Sequence, residues 1–252
     1  MHRFYLPPDQ CRGQTLLLTG SEAHHALHVL RLRQGEHVLV LDGEGAQSTC
    51  EVVRTRHTQV ELKPLEQSSS PRLSYQLTLL QALPKGKLIE SIIQKATELG
   101  AARVVPLLTQ RTVIHLAADE RRLKGVKWQA AAIEAIKQCG SPWLTKVEAP
   151  LDLKEFLLRG ERFELALVGS LQEGSRHPRA HFESFGRTNG RKPRSACVWI
   201  GPEGDFTPEE LAAIQRTGAL PISLGPLVLR TETAAIYSLS VINYELQEYA
   251  EG

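Results

Sequence analysis

Two loops hold the residue types that can do chemistry in this sequence. Between Trp199 and Ala235 the chain reads W-I-G-P-E-G-D-F-T-P-E-E-L and later I-S-L-G-P-L-V-L-R-T-E-T-A-A. Two apolar β-type runs thus each end in a Gly-Pro loop, and each loop leads into a helix start. Glycine lets backbone N–H and C=O groups approach a small molecule closely, while proline stiffens the turn and lowers the entropy cost of holding it open. The first loop presents Glu203; the second presents Arg230, with Glu232 just behind it. Neither G-x-x-x-x-G-K-[ST] nor G-x-G-x-x-G occurs, and the prolines remove N–H donors that a phosphate nest would use. The pattern argues against a nucleoside triphosphatase or a dinucleotide enzyme. It suits a ligand read through backbone groups, such as an adenosine carrying an amino acid.

The surrounding pattern says what positions these loops. From Tyr75 onward, strand and helix signals alternate: strands at 75–81, 103–108, 163–168, 196–200 and 220–224, with helices at 86–99, 120–139, 207–217 and 232–249. The helix at 86–99 shows one apolar stripe through Ile89, Ile92, Ile93 and Ala96. Asp152 and Glu155 form a capping box for a short helix, and Thr207-Pro208-Glu209-Glu210 opens another. Such alternation predicts a parallel sheet covered on both faces, whose ligands lie beyond the carboxyl ends of its strands. The two Gly-Pro loops fall at that edge, as does the Lys85-Gly86-Lys87 turn.

The first seventy residues read differently, as a compact all-β unit with short runs at 16–19, 37–41, 50–55 and 59–62. Small barrels of this kind often bind RNA. Within it, His24 and His28 share a helix face, but no third metal ligand stands nearby, so we assign no metal site. Arg31 and Arg33 are candidate RNA contacts or simply solvated cations. Gln67 to Pro71 reads as the linker between domains 1–71 and 72–252.

At 252 residues, the chain is long enough for two modest cores, and a net charge of +2 announces no nucleic-acid partner by itself. Residues 175–194 carry six Lys or Arg against one Glu, an excess of five. They read either as a solvated loop or as a phosphate-contacting arm. Cys11, Cys50, Cys139 and Cys197 are scattered and read as small buried hydrophobes. No apolar run approaches the roughly 18 residues of a membrane span, and the start of the chain does not read as a leader, so a cytoplasmic protein is expected.

G-P-E-G at Gly201–Gly204, L-G-P-L-V-L-R-T-E-T-A-A at Leu224–Ala235, and L-P-K-G-K with Q-K-A-T-E-L-G-A at 83–101 resemble the RsmE family of SPOUT-class methyltransferases. R-F-Y-L-P at Arg3–Pro7 and H-V-L-R at His28–Arg31 resemble its PUA-like amino-terminal domain. The resemblance spans nearly the whole chain. It implies an α/β fold with a PUA-like β-barrel and a SPOUT domain bearing a deep trefoil knot, an obligate homodimer, and S-adenosylmethionine bound within the knot. It further implies methylation of N3 of a uridine in 16S ribosomal RNA of the 30S subunit. The cofactor would be held by Gly169, Ser170, Gly201, Pro202, Glu203, Gly204, Leu224, Gly225, Leu229 and Thr231. Two positions depart from the family's pattern: Lys137 precedes Gln138 where Glu is more usual, and Asp205 stands where glycine is common.

Methylating uridine N3 requires loss of the imide proton and stabilisation of negative charge on the flanking carbonyl oxygens. Arg230 is the first candidate for the cation, unless it pairs instead with Glu203 or Glu232. Arg111 is a second. Glu232 is a candidate base or a helix-dipole partner, and Lys85, Lys87 and Arg111 are candidate RNA contacts. Two other classes stay open: a SPOUT enzyme with a different RNA target, and a non-enzymatic ribosome-binding module.

Overall fold

The computed structural model describes residues 1–114 and 116–247. The chain divides into two compact units: residues 1–72 with 133–144, and residues 73–132 with 145–252.

The first unit is built on a five-stranded sheet. Its elements are β1 His2–Tyr5, β2 Leu16–Leu18, helix α1 Gly20–His24, β3 His37–Leu41, β4 Ala46–Arg56 and β5 Gln59–Ser69. The strand order is β1-β3-β4-β5-β2, with β1 parallel to β3 and the other pairs antiparallel. Phe4, Leu16, Leu18, Val38, Val52 and Leu62 are fully buried on its core side. Strand β1 gives no strand signal in the sequence. It is too short to show alternation, and its pairing with β3 across more than thirty residues is non-local. A single π-type turn at His25–Val29 follows α1 and brings the His24 and His28 rings to 4.8 Å between centroids.

The predicted linker at Gln67–Pro71 is corrected. Gln67, Ser68 and Ser69 belong to β5, where they pair with Ser48, Gln47 and Ala46. Backbone pairing on an edge needs no apolar side chains, so a serine run can be strand without a hydrophobic signature.

The second unit holds a parallel sheet. In chain order it comprises β6 Gln76–Ala82, α2 Leu88–Glu98, β7 Arg103–Leu108, α3 Ala118–Cys139 (whose last residues belong to the first unit), β8 Lys146–Val147, β9 Leu151–Asp152, α4 Leu153–Leu158, β10 Leu165–Gly169, α5 Pro178–Asn189, β11 Ser195–Ile200, α6 Pro208–Arg216, β12 Leu220–Ile222 and α7 Thr231–Leu246. The strand order is β12-β10-β11-β6-β7-β8, with β9 also on β7. All these pairs are parallel. Near-continuous apolar strands such as β11, buried along almost its whole length, are what a sheet covered on both faces demands. Trp199 anchors one layer, edge-on to Phe156 of α4 at 5.3 Å. Both capping boxes form, Asp152 with Glu155 and Thr207 with Glu210. The predicted end of the last helix near Tyr249 lies outside the described residues.

Residues 175–194 are not a loop. Pro178–Asn189 forms α5, opened by His177, whose Nδ1 accepts from the Arg179 N–H, and closed by Gly190 at φ 66°. Three of the six cations at 175–194 are engaged: Arg191 donates twice to Glu164 at 2.7 and 2.9 Å, Lys192 reaches the Gln247 carbonyl, and Arg179 meets Glu245 at 3.4 Å. Arg176, Arg187 and Arg194 are exposed, and their side chains make no hydrogen bond or ion pair among the described residues, so half of the segment's cations stay open to either reading. The cysteine expectation also needs correcting: Cys50 and Cys197 are buried, Cys11 is partly exposed and Cys139 is exposed.

Candidate functional site

The carboxyl ends of β10, β11 and β12 open into one cavity of about 650 Å³. Of the cofactor positions implied by the family resemblance, Gly169, Ser170, Gly201, Pro202, Glu203, Leu224, Gly225, Leu229 and Thr231 line it, as does Arg230. Gly204 and Glu232 do not. The lining adds residues that the sequence did not single out: Leu171 to Ser175 after β10, Ile200 at the end of β11, and Pro226 to Val228 on the second loop. Leu227 and Val228 are strongly exposed, at 74% and 78%, and offer an apolar wall. A concave site of this size, mostly apolar with a few convergent polar groups, suits a nucleoside-sized ligand.

Hydrogen bonds between sequence-distant residues hold the two loops in register. Thr231, buried at the first turn of α7, donates its hydroxyl to the Gly201 carbonyl at 2.7 Å and accepts from Gln81 Nε2 at 3.1 Å. Gln81 is fully buried at the end of β6, and its Oε1 has no partner among the described residues. The Glu203 carboxylate accepts from the Lys85 N–H at 2.9 Å, tying the turn after β6 to the first loop. Arg111 donates to the Gly204 carbonyl and, at 3.4 Å, to that of Phe206. Its guanidinium therefore serves the loop backbone. Glu210 is buried and bridges elements: Oε2 accepts from Thr207 N at 3.0 Å within its own helix cap, while Oε1 accepts from Gln110 N at 2.8 Å.

The first loop turns sharply. Asp205 has φ 59°, a left-handed conformation rare outside glycine, and its N–H donates to the Pro202 carbonyl at 2.9 Å. The turn folds back so tightly that a Cβ on Gly201 would lie 2.7 Å from Asp205 Oδ1 and 3.1 Å from its Cα. Gly201 is therefore required by close approach rather than by its own φ.

Arg230 is exposed on the cavity wall as the residue preceding α7, and it makes no ion pair among the described residues. The alternative pairing with Glu203 or Glu232 does not form. Glu232, half-buried, lies in the first turn of α7. Lys85 and Lys87 flank Gly86 with exposed side chains. Arg31 and Arg33 are exposed in the first unit, where Arg31 adopts φ 57° and the Arg33 N–H donates to Glu36 at 2.9 Å.

A model of the RNA methyltransferase domain matches residues 71–243, and one of the RNA methyltransferase PUA domain matches residues 18–65. The chain belongs to the RsmE family of RNA methyltransferases. It is similar to the Synechocystis protein named ribosomal RNA small subunit methyltransferase E, with 34% identity over 98% of this chain and 78% of that one. The Bacillus subtilis protein of the same name is 30% identical over 92% of this chain and 91% of its own. Among solved structures, a Legionella pneumophila methyltransferase with bound S-adenosylmethionine superposes with a TM-score of 0.85. It is 32% identical, and the match covers 96% of each chain. The Neisseria gonorrhoeae ribosomal RNA small subunit methyltransferase E, also with S-adenosylmethionine, gives 0.81 at 26% identity over 97% of each. The RsmE relationship accounts for the α/β unit and the PUA-like unit together, and no helix among the described residues is long and apolar enough to cross a membrane.

Proposed function

We propose that this chain binds S-adenosylmethionine in the cavity at the ends of β10, β11 and β12 and methylates N3 of a uridine in 16S ribosomal RNA. The observation that carries this reading is the joint lining of one cavity by both Gly-Pro loops and the turn after β10. The residues fit the cofactor: two glycine-rich loops bring backbone groups close, Leu227 and Val228 give an apolar wall for a base, and Glu173, Glu203 and Asp205 suit a ligand bearing a sulfonium and an ammonium. Gly169, Ser170, Gly201, Pro202, Leu224, Gly225, Leu229 and Thr231 would hold it, with Gly204 shaping the loop from behind. When bound, it supplies an electrophilic methyl group already activated by positive charge on sulfur. The protein's share is then positioning, proton removal and charge stabilisation.

Arg230 is the cation for the uridine carbonyl oxygens, where negative charge develops as N3 is deprotonated. Glu232 contributes at the start of α7 by favouring the helix dipole, which steadies the residue presenting that guanidinium. Lys85 and Lys87, exposed at the same edge, contact RNA phosphates, and Arg31 and Arg33 of the PUA-like unit add further contacts. Arg111 serves the RNA indirectly, through the loop it braces. The reading includes a trefoil knot, supported by the placement of β11 between β6 and β10 and by the Thr231 and Gln81 bonds across the returning chain. It also includes a homodimer acting on the 30S subunit in the cytoplasm.

The test is methylation of 30S particles with the product base located by mass spectrometry of digested ribosomal RNA, alongside calorimetric titration with S-adenosylmethionine. N3-methyluridine with measurable cofactor binding is expected. A methyl group on a 2′-hydroxyl or another base would replace the substrate assignment, and absence of cofactor binding would leave only an RNA-binding role. Arg230→Ala is expected to lower the transfer rate by about 100-fold or more, the usual consequence of removing one group that stabilises developing charge, while leaving cofactor affinity nearly unchanged. Full activity in that variant would remove Arg230 from the mechanism.

A further inference from the structure

The fold sorts the three unengaged cations of residues 175–194 between the two edges of the parallel sheet. Arg194 directly precedes β11, and Arg187 lies in the last turn of α5, the helix that carries the chain back from the end of β10 to the start of β11. Both therefore sit toward the amino ends of the strands. Arg176 sits at the other edge. It bridges Ile222, the last residue of β12, in parallel register: its N–H donates to the Pro221 carbonyl at 3.3 Å, and its carbonyl accepts from the Ser223 N–H at 3.0 Å. On its other side Ile222 pairs with Gly169 of β10. Arg176 thus extends the sheet by one residue beyond β12, and its neighbours Ser175 and Ser223 both line the cavity. The turn that leads to it is braced, since Ser170 Oγ accepts from the Gln172 N–H at 3.2 Å and the Ser175 hydroxyl donates to the Gln172 carbonyl at 2.8 Å. A fixed backbone therefore presents an exposed guanidinium that has no hydrogen bond or ion pair among the described residues.

We propose that Arg176 holds a phosphate of the target ribosomal RNA on the β12 side of the cavity, opposite Lys85 and Lys87. This rests on the methyltransferase reading above. The strand order β12-β10-β11-β6 places the Lys85–Lys87 turn, which follows β6, three strand spacings from β12. At about 4.8 Å each, the two cation positions stand roughly 14 Å apart along the sheet edge that carries the cavity. A single strand crossing that edge can be held on both sides while one unstacked base turns inward, as chemistry on a base requires. Arginine suits the task because its planar fork can donate to two phosphate oxygens at once. The cavity's own carboxylates, Glu173, Glu203 and Asp205, disfavour phosphate inside the pocket and leave the rim as the place for it. Phosphate contacts fix affinity and register. Arg176 therefore sets how tightly the RNA is held, not the rate of transfer once it is bound.

Arg176→Gln, Arg176→Lys and, as a control at the opposite edge, Arg187→Gln test this against the wild type. Binding to 30S particles is measured across a potassium chloride series, with methyl-transfer kinetics, calorimetric titration with S-adenosylmethionine and thermal unfolding alongside. Arg176→Gln is expected to bind 30S particles about 10-fold more weakly at low salt, as loss of one charge-assisted contact implies. The slope of log affinity against log salt should flatten by about 1, the mark of one lost phosphate contact. Its KM for 30S should rise with kcat unchanged. Arg176→Lys should keep the wild-type salt slope, and Arg187→Gln should match the wild type throughout. Cofactor affinity and unfolding temperature should be the same in all four proteins. A wild-type salt slope in Arg176→Gln, or an equal flattening in Arg187→Gln, would overturn the assignment. Weaker S-adenosylmethionine binding by Arg176→Gln would overturn it too, by giving the guanidinium to the cofactor's carboxylate. If the wild type neither binds S-adenosylmethionine nor methylates 30S particles, the methyltransferase reading fails, while the salt slopes still decide whether Arg176 holds a phosphate.

Discussion

Thr231 shows how much of this site depends on single polar atoms. Its hydroxyl satisfies the Gly201 carbonyl and receives Gln81 Nε2, so one buried oxygen joins the first loop, the second loop and the end of β6. Thr231→Val keeps the shape and removes both bonds, leaving buried polar groups unpaired at a cost of about 1–3 kcal/mol. The variant is expected to show a lower denaturant midpoint and weaker S-adenosylmethionine binding together. A stability loss with unchanged affinity would mean that the bonds hold the fold but not the pocket. At this scale the sequence was informative where chemistry and backbone coincide. Glycine and proline mark the two loops that line the cavity, and Arg230 lines it from the second one. Gln81 left only a faint mark, a lone amide at the end of the apolar run L-T-L-L-Q, and nothing local says that its partner is 150 residues away. Asp205 was visible as an oddity, but its φ is a property of the folded turn that the sequence does not display.

Helices and strands followed periodicity where packing reinforces it. The stripe of α2 and the capping boxes of α4 and α6 were legible because each is a local pattern with a local cause. Helix α5 was not, because only Pro178, His181 and Phe182 are buried along it and its cap is a histidine. Its polar surface looked like a loop, and Arg179 and Arg191 looked available because their acceptors, Glu245 and Glu164, lie far off in sequence. The Glu164 junction makes a testable element-scale consequence. Two bonds from Arg191 and one from the Arg194 N–H depress its carboxyl from the ordinary 4.5 to about 2. A depressed carboxylate stabilises the folded state fully above its unfolded value and loses that contribution as pH falls through the folded value. Glu164→Gln should therefore unfold more readily than the wild type near neutrality, and the difference in denaturant midpoint should close between about pH 4.5 and 2. A difference independent of pH would assign the effect to packing rather than charge. Since the pair is partly solvated, added salt should narrow the gap as well.

The whole molecule raises the question of what covers α7. Thr233, Ile236, Tyr237, Ser240, Val241 and Tyr244 recur at helical spacing along one face and line a shallow depression of about 520 Å³. Tyr237 and Tyr244 remain 42% and 57% exposed, while the opposite face buries Ala235, Leu239 and Ile242 against the sheet. A helix apolar on both sides is expected where a second surface packs on it, and a two-fold axis lets a face of this kind meet its own copy. This face suits the proposed homodimer, and because α7 starts at Thr231, directly after Arg230, such an association would share one element with the cavity. Tyr237→Glu places a charge on the face without disturbing a buried residue. The wild type is expected to sediment as a dimer at micromolar concentration and to unfold at a temperature that rises with concentration. The variant should sediment as a monomer with an unchanged circular dichroism spectrum and bind S-adenosylmethionine more weakly, because the start of α7 is no longer held against its partner. If the wild type sediments as a monomer, the dimer is wrong. If the variant is monomeric yet binds the cofactor with full affinity, the dimer stands and the cavity is complete within one chain.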